Sequence, residues 1–199
     1  MLAEFGVRAL AWTDYRLALL FAVVVPLGLL VWSLRQRAEA MRRLMAIYWR
    51  VSSLLAIAVY LTIAQWSLGI GLLAGWFARL LIPIALWFWA DLNEEIEDWP
   101  ATPLKLTLTA WRWAMTLYCA LGVAVTAPLW RCALANQPLS DPLCQAWAEA
   151  PWQYRAIFHA NTSPGFLGFL GMVGLVVYLL SLIYFLTVRL GRKGRSAME

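Results

Sequence analysis

"LWFWADLNEEIEDWP" (residues 86–100) ends a long apolar run and then places five carboxylates in eight positions, 91–98. The run behind it, 68–90, is long enough as a helix to cross the hydrocarbon of a bilayer, which takes about 20 predominantly apolar residues. Acidic residues contribute little to membrane orientation. Carboxylates at such a helix exit therefore call for a structural partner. Outward from this stretch, four further runs have the same character: 17–34, interrupted by Pro26; 51–64, the shortest; 113–130; and 166–188. Between the second and third runs only "QWSLG" (65–69) intervenes, which predicts a tight helical hairpin.

Composition agrees. The 199 residues are 63% hydrophobic and 14% charged, where soluble domains average about 45–50% apolar and about 25% charged. Thirteen tryptophans gather near the ends of the apolar runs, as interfacial anchors do. The net charge of +5 does not read as a nucleic-acid footprint, because the cations flank the spans rather than forming a free stripe. No cleavable leader is expected: the first apolar run follows acids as well as arginines and offers no small-residue cleavage site. The fold class is all-α, a polytopic transmembrane helical bundle in a single membrane domain, 1–199.

Five spans put the termini on opposite sides. With the N-terminus outside, the inner segments hold Arg35, Arg37, Arg42, Arg43, Arg50, Lys105, Arg112, Arg189, Arg192, Lys193 and Arg195, and the outer ones only Arg8, Arg16, Arg131 and Arg155. The positive-inside rule then predicts a cytoplasmic C-terminus. The longest connection, 131–164, lies outside and is long enough to carry structure of its own.

In that topology Arg50 and Arg112, at the entrances of the second and fourth helices, share a face with the acidic exit of the third. If the third helix continues, Asp91, Glu95 and Asp98 fall on one side of it. Arg50 and Arg112 are then expected to pair with Asp91 and with Glu94 or Glu95, screened by tryptophans. Solvated acids and a carboxylate metal site are the alternatives; the metal reading is the weaker, since such sites usually recruit imidazoles and the single histidine lies on the other side.

Arg79 is the one charge deep within a run, and such a residue normally faces protein or water. Gly71, Gly75, Arg79 and Pro83 recur every four residues. A G-x-x-x-G pair admits a close helix, and Pro83 releases the carbonyl of residue 79. This combination suits an anionic lipid headgroup, a cofactor tail or a partner carboxylate; snorkelling to the outer interface is the alternative. No acid within another expected span offers itself as its counterion.

Cys132 and Cys144, in the outer loop, can close a disulfide on an oxidising side or remain two small unpaired residues. Aromatic residues within 144–158 suggest a surface-lying amphipathic helix, and Ser163-Pro164 reads as the cap and first turn of the last span. His159 is either a ligand to a neighbouring protein's pigment, haem or metal, or a hydrogen-bonded surface group. No nucleophile–His–acid set and no mid-span carboxylate relay is apparent. No catalytic or metal-binding residues are expected, and no cofactor is required, although a bound lipid or pigment is compatible with the chain.

The strings "WTDYRLA" (12–18), "YWRVSSLL" (48–55), "ARLLIPIALWFWADLNEEI" (78–96), "WRWAMTLYC" (111–119) and "FHANTSPGFLGFLG" (158–171) resemble an uncharacterised family of integral membrane proteins of about 200 residues from cyanobacteria. The resemblance spans nearly the whole chain. It implies a thylakoid or plasma membrane and no activity. Together these features lead us to expect a non-enzymatic accessory or assembly protein packed against a larger photosynthetic or respiratory complex. A small transporter or channel component, or a lipid- or pigment-binding protein using Arg79, is the alternative.

Overall fold

A computed structural model describes residues 2–135 and 138–196; of the expected outer loop, residues 136 and 137 lie outside the described residues, as does the side chain of Lys193. Five helical stretches are long and apolar enough to cross a membrane: Gly6–Arg35, Glu39–Ile63, Gln65–Trp87, Pro103–Leu134 and Pro164–Arg192. The protein is an integral membrane helical bundle.

The first span is one rod, α1 (Leu2–Ala18) and α2 (Val25–Arg35) joined by a π-helical turn, Leu19–Val24. It begins well before the expected 17–34, because the polar residues Thr13, Asp14 and Arg16 continue the helix instead of ending it. Pro26 explains the π turn. It has no N–H to donate to the carbonyls one turn back. Those carbonyls are taken by other helices: Ala22 O accepts from the Tyr48 hydroxyl at 2.8 Å and Phe21 O from Trp111 Nε1 at 2.9 Å. Inside a bilayer every backbone group needs a partner within the protein. The proline thereby creates two docking points.

α3 (Glu39–Ile63) is the hub, with Met41, Leu44, Met45, Tyr48 and Leu61 fully buried. It packs on α4 (Leu68–Trp87), on α9 (Pro164–Tyr184) and on α2. The reversal into α4 is the short hairpin expected from its sequence, closed by the Ser67 hydroxyl donating to Leu61 O at 2.7 Å. Small residues set the approach. A Cβ on Gly71 would lie 2.8 Å from Thr62 N, one on Gly168 would lie 2.5 Å from Ala64 Cβ, and one on Gly171 would lie 3.0 Å from Leu61 N. Glycine at these helix contacts lets backbones meet where other residues would hold them apart.

α4 ends at Trp87, and Trp89 is extended (φ −82°, ψ 107°) before α5 (Ala90–Asp98) begins. The third span therefore stops short of the expected Ala90, and the acids ride on a separate helix. α6 (Pro103–Thr126) opens on a Thr102 cap with Pro103 in its first turn and leads through a short 3₁₀ turn into α7 (Trp130–Leu134). α8 (Pro142–Phe158) starts at Asp141, whose side chain accepts from Leu143 N at 2.9 Å, and packs on α1 and α3. Ser163 caps α9, accepting from Phe166 N at 3.3 Å. A π-helical turn, Phe185–Arg189, and α10 (Leu190–Lys193) complete the described chain.

Candidate functional site

The centre of interest is Arg79, at 9% exposure, and its counterion is Asp14, at 8%. The guanidinium donates through Nη2 to Asp14 Oδ2. Its Nη1 donates to Gly122 O at 3.2 Å and reaches Thr126 Oγ1 at 3.4 Å. Asp14 Oδ1 accepts from the Tyr118 hydroxyl at 3.1 Å, and the Tyr118 ring lies 5.7 Å from the guanidinium carbon. Three spans meet here: α1 supplies the anion, α4 the cation and α6 the hydroxyls and carbonyl. Gly122 makes the meeting possible, since a Cβ there would stand 3.0 Å from Arg79 Nη1.

This corrects the expectation that Arg79 lacks an intramembrane counterion. Asp14 lies just before the apolar run 17–34, so run length alone does not place it inside a span. A signal was present: Ala11, Asp14, Ala18 and Ala22 follow helical spacing, and Ala11, Asp14 and Ala22 are buried. A small-residue face bearing one acid marks a helix that packs closely through that acid.

The four-residue repeat Gly71, Gly75, Arg79 and Pro83 does not form one ligand-binding face. Four residues exceed a 3.6-residue turn, so Arg79 is rotated by about 80° from Gly71. Gly71 and Gly75 accordingly pack on Thr62 and Ala58 of α3, while Arg79 turns to α1 and α6. Pro83 sits within α4 as read.

A second buried cation, Arg112, at 3% exposure, closes the far end of α4. It donates to Leu86 O at 2.6 Å and to the Asn93 side-chain oxygen, and its guanidinium carbon lies 3.9 Å from the Trp87 ring centroid. Asn93 in turn donates to Trp87 O at 3.0 Å. The terminal carbonyls of a helix have no partners of their own and attract cations. Arg112 and Asn93 satisfy two of them. The expected ion-pair cluster is thus replaced by a helix cap: Arg112 meets no carboxylate in these contacts, Arg50 and Glu94 are exposed, and one oxygen of Glu95 is buried without a hydrogen bond among the described residues. Asp91 accepts from its own helix at Leu92 N and from the Ser196 hydroxyl, each at 2.9 Å. The break at Trp89 is the physical cause, because it redirects the acids while leaving the carbonyl ends of α4 beside Arg112.

At the opposite end Cys132 and Cys144 are joined in a disulfide, with Cα atoms 5.7 Å apart. They are buried with Ala11, Leu129 and Trp147, which ties α7 and α8 to α1. The Tyr15 hydroxyl donates to Trp147 O at 3.0 Å. That carbonyl is the acceptor that Pro151, four residues later, cannot use. His159 is held within the chain, its Nε2 3.0 Å from the Tyr60 hydroxyl. The Tyr154 phenol, on α8, is raised above its ordinary value, first by a side-chain hydrogen bond with Tyr60 and then by burial.

Among the described residues no three His, Cys, Asp or Glu side chains come together as a metal site. A model of the family described as a protein of unknown function, DUF3177, matches residues 8–198. The chain belongs to the DUF3177 family. No curated protein and no solved structure matches it. In this DUF3177 member the Arg79 guanidinium is neutralised from within by Asp14, whereas Arg112 is held by Leu86 O and Asn93 with its Nε buried and without a hydrogen-bond partner among the described residues. Opening the Asp14–Arg79 pair would leave an uncompensated charge in a low-dielectric interior, a loss of about 3–5 kcal/mol.

Proposed function

We propose that this DUF3177 protein is a non-enzymatic accessory or assembly protein that packs against a larger membrane complex, photosynthetic or respiratory, in a cyanobacterial thylakoid or plasma membrane. The observation that carries this reading is the position of α9. It joins the bundle through a glycine-lined contact with α3, along Gly168, Gly171 and Gly174. The rest of its length turns outward, with Phe169, Val173, Val177, Leu180 and Tyr184 each at least 45% exposed. A helix so lightly held by its own chain presents a long apolar ridge to a neighbouring span.

Those glycines are occupied within the chain, so the partner surface is the opposite ridge. Orientation follows the charge asymmetry, with the N-terminus outside and the C-terminus cytoplasmic; the disulfide beside α1 supports the same choice, since such bonds persist in oxidising compartments. An anion transporter or ligand carrier built on Arg79 has less support, because three in-chain acceptors already engage that guanidinium.

Affinity purification from native membranes tests the reading. A stoichiometric membrane complex is expected, and it should be lost when Val177 and Leu180 on the ridge are replaced by serine. Recovery of monomer or homodimer alone would reject the proposal.

A further inference from the structure

The end of α2 carries a feature that the buried pairs and the α9 ridge do not use. Leu27, Gly28, Val31, Trp32 and Arg35 line an open groove of about 510 Å³. Gly28, Trp32 and Arg35 lie at i, i+4 and i+7, hence on one side of the helix. A Cβ at Gly28 would meet nothing within 4 Å, so the notch is empty protein surface and not a helix contact. Arg35 is the last residue of the first span. Its guanidinium makes no hydrogen bond or ion pair with another described residue.

We infer that this groove binds one anionic glycerolipid, with the headgroup phosphate or sulfonate on Arg35 and an acyl chain laid in the Gly28 notch. Three observations converge on that occupant. Gly28 stands about 10 Å from Arg35 along the axis, at 1.5 Å per residue, so the apolar notch lies at acyl depth when the cation lies at the headgroup. Trp32, half-buried between them, occupies the level where indoles favour the interface. The local charge selects an anion: Glu39, the acid nearest in sequence, already accepts from Arg42 at 2.6 Å and Arg43 at 2.9 Å. Arg35 is thus free for an external anion in a positive field. Basic pockets beside spans recognise anionic headgroups in this way.

The test uses the full-length chain in mixed micelles of phosphatidylglycerol and phosphatidylcholine, with retained lipid counted by native mass spectrometry. One phosphatidylglycerol per chain should be retained in preference to phosphatidylcholine. Arg35→Gln should reduce that retention about fivefold, the weight of one interfacial cation. Gly28→Leu fills the notch without changing charge and should reduce it as well. Arg16→Gln removes another exposed cation of the same rod and should leave retention unchanged. Size-exclusion profiles confirm that each variant is folded; if Gly28→Leu misfolds, the comparison of Arg35→Gln with Arg16→Gln decides. Equal retention of the two lipids, or equal losses in Arg35→Gln and Arg16→Gln, overturns the site in favour of unspecific charge attraction.

Discussion

Tyr48 donates its hydroxyl to the carbonyl of Ala22 at 2.8 Å, across the first and second spans and four residues before Pro26. The bond exists because the proline cannot supply the intrahelical donor. Tyr15 and Trp147 repeat the device around Pro151. Two prolines thus work as interhelical connectors, each exposing an acceptor that a tyrosine of another helix fills.

Replacing Tyr48 by Phe removes the donor and leaves a buried carbonyl unsatisfied, at a cost of about 1–3 kcal/mol. Pro26→Ala returns an N–H to the helix and should make the Tyr48→Phe change cheaper. Denaturation of the four variants in mild detergent measures the coupling. Additive losses would show that the proline-freed acceptor is not what Tyr48 serves.

The Asp14–Arg79 pair yields a second expectation. Asp14→Leu or Arg79→Leu alone should destabilise by about 3–5 kcal/mol, whereas the double substitution should recover much of the loss, because no lone charge stays buried. Gly122→Leu, which pushes into the guanidinium, should resemble the single charge losses. Single variants as stable as the parent would mean that water reaches the pair.

Arg112 separates a capped helix end from an ionic cluster. Arg112→Gln and Arg112→Lys should both destabilise, because neither keeps the planar fork that reaches Leu86 O and Asn93 while lying over Trp87. Glu94→Gln should change stability by less than about 0.5 kcal/mol, as for an ordinary surface position. A large effect of Glu94→Gln together with tolerance of Arg112→Lys would restore the ion-pair account.

Of the three cysteines, Cys119 is free and buried while the other two are bonded. Alkylation of unfolded, unreduced protein should add one group by intact mass, and prior reduction should raise that to three. Reduction should also cost about 3 kcal/mol for a loop of this size in the chain-entropy account. Three additions without reductant would place this loop in a reducing compartment and reverse the orientation.

Much of this architecture was legible from apolar run length alone. The hairpin at 65–69 and the Ser163 start of α9 are readable locally, since each depends on residues a turn or two apart, whereas at Arg79 the sequence leaves a partner contact and snorkelling both open. Asp14 escapes such a reading for the opposite reason: a polar residue interrupts an apolar run, although a helix continues through it when another chain segment satisfies it. The acids after Trp87 are harder to place, because apolar run length does not register a helix break that capping by Arg112 and Asn93 sustains.

The sequence by itself determined a chain of five membrane-crossing helices, because a bilayer demands about 20 apolar residues with internally bonded backbone whatever their neighbours are. Only the tertiary structure decided who meets whom: Asp14 with Arg79, 65 residues apart, and Arg112 with the carbonyl ends of α4. Those choices rest on glycine contacts and proline-freed carbonyls that gain meaning once two helices lie side by side, and no spacing along a single helix records which partner will come.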